Sequence, residues 1–225
     1  MKKITVKNLV EFRKKSDKSK IIFINNLKVE KVKSDVDSGG DYWISCLWAI
    51  RNTFTSGDLS LLDKKIDLLN DKIKVSKINR IKNQFRRNID IINNFKDYDF
   101  QYLKPMGLVT FLKQIKNQTI LDIKKIPIES KPCHIFSFSQ NNSDEIGGVW
   151  FVAQLNGFTK NELGMFTEIL YRYLNIHYSK EFYVNQDYCI AVDLYSGQKA
   201  NYTEIQKGTI PKLIDITLDN LKKFY

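Results

Sequence analysis

The chain has 225 residues, enough for one large domain or two small ones and for a sizeable core without disulfides or metals. Hydrophobic residues make up 43% and charged residues 27%, as in a globular protein, and only four prolines and ten glycines argue against long linker-like tracts. The net charge is +11, and the longest apolar clusters, at 149–152 and 189–192, have strand length, so no membrane-spanning helix is expected.

Cys46, Cys133 and Cys189 are odd in number and far apart. That pattern predicts buried thiols in a reducing compartment, hence a cytoplasmic protein. The basic N-terminus lacks an uninterrupted apolar stretch and a small-residue cleavage site, so no secretory signal is expected. Abundant Lys, Asn and Ile fit a low-GC bacterial genome.

Charge is unevenly placed. Residues 1–104 hold 23 basic and 13 acidic side chains, a net of +10, while residues 105–225 hold 13 and 12, a net of +1. Residues 1–33 alone carry 11 basic and three acidic side chains, and include Arg13, Lys14 and Lys15. A second basic stretch contains Lys72, Lys74, Lys77, Arg80, Lys82, Arg86 and Arg87. Such asymmetry points to an acidic partner, nucleic acid or an acidic protein surface. The dominance of lysine favours attraction to phosphates over reading of base edges. A Lys-rich helix can equally be a solvated face.

Residues 3–15 predict a strand entering a helix. Residues 20–28 are apolar with polar flanks, and their periodicity leaves helix and strand open. Residues 34–41 predict a loop, with Asp41 placed to cap the following helix. Three helices follow. The first carries Ile44, Leu47, Trp48 and Phe54 and ends near Ser56-Gly57. The second, 58–73, aligns Leu61, Leu62, Ile66, Leu69 and Ile73. The third, 77–95, spaces Ile78, Ile81, Phe85, Ile89 and Ile92 by threes and fours, with Arg80, Lys82, Arg86 and Arg87 on its other face.

After Pro105 the pattern turns strand-like, over 119–128, 133–139 and 146–155, with a turn at 141–145. Thr159 and Glu162 form a capping-box pattern that opens a helix to about Tyr178. A strand at 188–195, a hairpin at Ser196-Gly197 and a last helix from about Pro211 to Phe224 complete the chain. The expected fold is α+β: a basic, mainly helical subdomain, 1–104, packed on a subdomain, 105–225, whose mixed or antiparallel sheet carries helices on one face.

Several constellations could carry chemistry. Arg172 and His177, with four residues between them, resemble the catalytic motif of the HEPN ribonucleases. The resemblance implies an RNA-cleaving pair, with a proton-transfer group beside a cation, in a cleft completed by a second copy of the chain. The same helix places His177 on the stripe of Phe166, Ile169, Leu170, Tyr173 and Leu174, which predicts a partly buried, structural histidine. Asp122 with Glu129-Ser130-Lys131 resembles the PD-(D/E)xK nucleases, in which carboxylates hold a divalent metal and lysine positions water.

Asp35, Asp37, Gly39 and Gly40 look like the start of an EF-hand loop, but Cys46 stands where a bidentate Glu is needed. Gly39-Gly40-Asp41 has the first letters of the GGDEF signature, and nothing after it matches. Cys133, His134, His177 and Cys189 lack zinc-ligand spacing. Six aromatics cluster at Tyr171, Tyr173, Tyr178, Phe182, Tyr183 and Tyr188; the exposed ones could stack bases or anchor a protein partner.

The leading expectation is a non-enzymatic, nucleic-acid-associated accessory protein in a bacterial defence or mobile-element setting, with no cofactor, no metal and no membrane, and compatible with an oligomer. A nuclease using one of the two constellations is the first alternative. A protein-interaction subunit of a larger complex is the second.

Overall fold

A computed structural model describes residues 3–28, 42–113, 119–140 and 142–224. The loop at 34–41, with the capping role expected of Asp41, lies outside them. Strand β1 (Ile4–Thr5) runs into helix α1 (Val6–Arg13). Thr5 makes the switch: its hydroxyl accepts from the Asn8 amide at 3.1 Å, and the Asn8 carboxamide oxygen accepts from the Thr5 amide at 3.1 Å. The ambiguous apolar run is helical, within α2 (Asp17–Lys28), which buries Ile24 and leaves Ile21 and Ile22 exposed.

The three expected helices are α3 (Ile44–Ser56), α4 (Ser60–Val75) and α5 (Asn79–Asn94). Gly57, with φ 74°, closes α3 in the left-handed conformation, and its amide donates to Thr53 O at 2.8 Å. Trp43, at the α3 N-cap, supplies no side-chain cap. The buried carboxamide of Asn88 on α5 does that work instead. Its Oδ1 accepts from the Cys46 amide at 3.0 Å, and its Nδ2 donates to the Tyr42 and Gln84 carbonyls. A 3-10 turn follows over Phe100–Leu103.

The second half contributes β2 (Thr110–Leu112), β3 (Ile120–Ile123), β4 (Ile126–Glu129), β5 (His134–Gln140), β6 (Ser143–Val152), α6 (Lys160–Tyr178), β7 (Tyr183–Asp193), β8 (Lys199–Asn201), α7 (Tyr202–Gln206) and α8 (Ile214–Lys222). Strand β6 starts inside the expected turn, and β7 starts five residues before Tyr188. Thr159 and Glu162 form the capping box at α6. A three-stranded sheet has the order β1-β4-β3 and a five-stranded sheet the order β2-β5-β6-β7-β8. Only β6 and β7 are parallel in the larger sheet, with α6 as their connection, so it is mixed.

The larger sheet is covered on both sides. Ile146, Trp150 and Val152 enter a core with α1, α2, α6, α8 and the small sheet. Val149, Phe151 and Ala153, the alternate residues of β6 and its exit, enter a core with α3, α4 and α5. The fold is α+β: helices of the second half lie on one face, and α3–α5 lie on the other. Residues 4–28 belong to the first of these cores, since β1 pairs with β4 and α1 packs on α6 and α8. Among the described residues, no helix is long and apolar enough to cross a membrane.

Register between β6 and β7 shifts between Ile146 and Gly148. A Cβ on Gly147 would lie 2.6 Å from Tyr188 Cβ and 2.8 Å from Tyr188 O. Gly147→Ala is therefore expected to destabilise the protein by about 1–3 kcal/mol. Chemical denaturation at wild-type stability would contradict this account of the shift.

Candidate functional site

The basic stretch forms the end of α4, the link to α5 and the first half of α5. Residues 72–87 hold seven basic and no acidic side chains. Because α5 turns Asn88, Ile91 and Ile92 inward, its cations point outward or along its flanks. Lys72, Lys74, Lys77, Arg80, Arg86 and Arg87 are exposed, and Lys82 is half-buried. Lys74 pairs with Asp71 at 2.9 Å and is the one member in an ion pair among the described residues. Arg86 donates to Asn83 Oδ1 at 3.0 Å and Arg87 to Tyr42 Oη at 3.1 Å. Lys72 lies 5.9 Å over the Phe85 ring. The crowding reaches Lys65, whose ammonium is pushed below its ordinary pKa, first by burial and then by Lys72.

The N-terminal cations are placed elsewhere. Arg13 Nη1 donates to Thr217 Oγ1 at 3.0 Å, Lys14 pairs with Glu162 at 2.8 Å, and Lys15 lies 5.2 Å over the Phe23 ring. These partners are on α8, α6 and α2, on the sheet face away from α3–α5. The seven residues of 72–87 all belong to the α4–α5 hairpin, with Arg80 and Arg87 on one flank of α5 and Lys82 and Arg86 on the other, whereas Arg13, Lys14 and Lys15 contact α8, α6 and α2.

Arg172 and His177 have separate surroundings. Arg172 forms an ion pair with Glu168 at 2.5 Å and with Asp215 at 2.7 Å. Burial opposes its charge, but hydrogen bonding to Asp215 and the Glu168 carboxylate raise its pKa further. His177 is half-buried, its ring 4.6 Å from that of Tyr173, and burial lowers its pKa. Its Nε2 is buried without a hydrogen-bond partner among the described residues.

On the β3–β4 hairpin, Asp122 sits opposite Pro127 and Glu129 opposite Ile120, so both carboxylates are on the outward face. Glu129 receives Lys3 and Lys131, each at 2.6 Å. Burial raises its pKa, but the two lysines outweigh that and hold it below the ordinary range. Among the described residues, no three His, Cys, Asp or Glu side chains cluster as metal ligands. Cys133 Sγ accepts from Arg51 Nε at 3.0 Å and from the Phe151 amide at 3.2 Å. Its neighbour His134 packs against Phe54, Phe111 and Phe151.

One feature escaped the sequence reading. A 400 Å³ recess is lined by Trp43, Arg87, Asp90, Ile91, Asn94, Leu155 and Tyr195, and a 380 Å³ neighbour shares Trp43, Arg87 and Leu155 with it. Arg87 was visible as part of a charge run. Leu155 and Tyr195 come from the loops after β6 and β7, and nothing local marks them. No protein-family model matches the chain, and no curated protein or solved structure shows significant similarity to it.

Two expectations follow from the buried ionisable groups. Glu168 is 2% exposed, so Arg172→Met leaves its charge uncompensated and should cost about 3 kcal/mol. Adding Glu168→Gln should recover part of that loss in denaturant unfolding. If the second substitution recovers nothing, the buried charge is not the cause.

Burial, with Arg51 and Lys104, lowers the His134 pKa to about 4. A base with a depressed folded pKa takes up its proton more readily when unfolded. Its stabilising effect is therefore whole above about pH 6.5 and is lost as pH falls toward about 4. The melting temperature should drop across that window, and His134→Phe should reduce the drop. An unchanged pH profile in this variant would exclude His134 as its source.

Proposed function

We propose that the α4–α5 hairpin binds the phosphate backbone of nucleic acid and that the protein is a non-enzymatic accessory of it. The observation that carries this reading is the concentration of seven cations in residues 72–87, six of them without an ion-pair partner among the described residues. Elsewhere Lys3, Lys14, Lys20, Lys96, Lys124, Lys131, Lys160 and Arg172 are paired with carboxylates. An unneutralised group repels itself, and a polyanion relieves that repulsion by releasing its own counterions. Four of the seven are lysines, which suits binding to phosphates regardless of sequence.

Pairing of Arg172 with Glu168 and Asp215 gives it a structural occupation, which favours the binding reading over RNA cleavage by Arg172 and His177. The reading assigns the protein to the cytoplasm, where nucleic acid and a reducing environment for its three cysteines coincide. A role in bacterial defence or in a mobile element fits such an accessory.

Binding measured across salt concentrations tests the proposal. If about five phosphates are neutralised, log affinity should fall with log salt at a slope of about −3.5 for single strands and −4.5 for duplex. Arg80→Glu with Arg86→Glu should weaken binding to all sequences alike and flatten the slope by about 2. Affinity that ignores salt, or no binding at about 50 mM salt, overturns the proposal. Salt-sensitive capture of an acidic protein in place of nucleic acid would point to the interaction-subunit alternative.

A further inference from the structure

Arg80, Gln84, Arg87, Ile91 and Asn94 follow one another on α5 in steps of three and four, so they share one flank of the helix. That flank leads from the basic tip of the hairpin into the 400 Å³ recess. The recess lies beyond the carboxyl ends of β6 and β7, the two parallel strands of the larger sheet. Its volume falls within the roughly 300–1,000 Å³ of small-ligand sites.

Its walls combine unlike chemistries. Tyr195 and Leu155 are 42% and 49% exposed, although both belong to loops packed against the core. Asp90 and Asn94 supply a carboxylate and a carboxamide on the α5 side. Arg87 stands between this recess and its neighbour, held by its hydrogen bond to Tyr42. An aromatic ring and an apolar side chain accept the flat face of a nucleobase. A carboxylate and a carboxamide accept from, or donate to, its edge. A guanidinium takes the adjoining phosphate. In a duplex the bases are stacked inside and seating one costs its unpairing and unstacking, so an unpaired strand offers one more readily.

We propose that the strand bound by this protein is single, with one base seated between Tyr195 and Leu155 and its phosphate on Arg87. This inference rests on the reading of the α4–α5 hairpin as a phosphate-binding surface. It adds the class of strand, and it adds residues that carry no charge.

Fluorescence anisotropy with a labelled single strand of about a dozen nucleotides, and with the duplex of the same sequence, tests it. The wild type should prefer the single strand. Tyr195→Ala should weaken single-strand binding about tenfold and leave duplex binding unchanged, and Tyr195→Phe should retain wild-type affinity. Leu155→Ala, from the other loop, gives an independent reading should Tyr195→Ala lower the melting temperature.

Equal affinity for duplex and single strand, or a folded Tyr195→Ala variant that binds as the wild type does, overturns the inference. If Arg80→Glu with Arg86→Glu still weakens binding and flattens the salt slope in that case, the phosphate-binding reading stands and only the base site fails. If the wild type binds neither strand, both fail.

Discussion

Strand β6 is buried on both faces, and the rest of the architecture answers that constraint. Its residues alternate between two cores, with Ile146, Trp150 and Val152 on one side and Val149 and Phe151 on the other. A strand of this kind needs cover above and below and a partner along each edge. The hairpin to β5 supplies one edge and the crossover through α6 supplies the other. Helix α6, with α1 and α8 against it, covers one side, and α3 with α4 and α5 covers the other. The basic hairpin is therefore an outer layer. Leu62, Leu69, Ile91 and Ile92 are its core contacts, and its cations are left to solvent.

Two polar contacts fix how that layer sits. Asn88 occupies the uncapped start of α3 and ties α5 to it from within. One residue earlier, Arg87 is tied to Tyr42 from outside. Both anchors lie in the same turn of α5, next to Tyr42 and Trp43. The geometry of the recess and the direction of the basic flank thus depend on the same short stretch of chain.

Long periodic segments were legible because their signals are local. The stripes of α4 and α5, the left-handed Gly57 and the Thr159–Glu162 capping box each act within a few residues. Short elements were not. Strand β2 has three residues and α7 five, and both exist because of what they pack against. The early half of β7, Tyr183 to Tyr188, reads as polar because that stretch is only partly covered; Glu145 and Asn185 hydrogen-bond to each other there. The charge run 72–87 was legible as a run. Its separation from Arg13, Lys14 and Lys15 was not, because a count of charges carries no direction. The recess was illegible for a related reason: four separate segments build it.

The order in which the chain is made gives β6 a further significance. Residues 153–182 lie between it and β7. At about 5–20 residues per second, a ribosome takes roughly 2–6 s to add that interval. During it β6 has its hairpin partner β5, but one edge open and no α6 over it. A strand apolar on both sides with an unpaired edge is a template for pairing with other chains. Nascent copies on neighbouring ribosomes are thus exposed to one another until α6 and β7 arrive, and the yield of native protein should depend on translation speed across this segment and on chaperones that shield it.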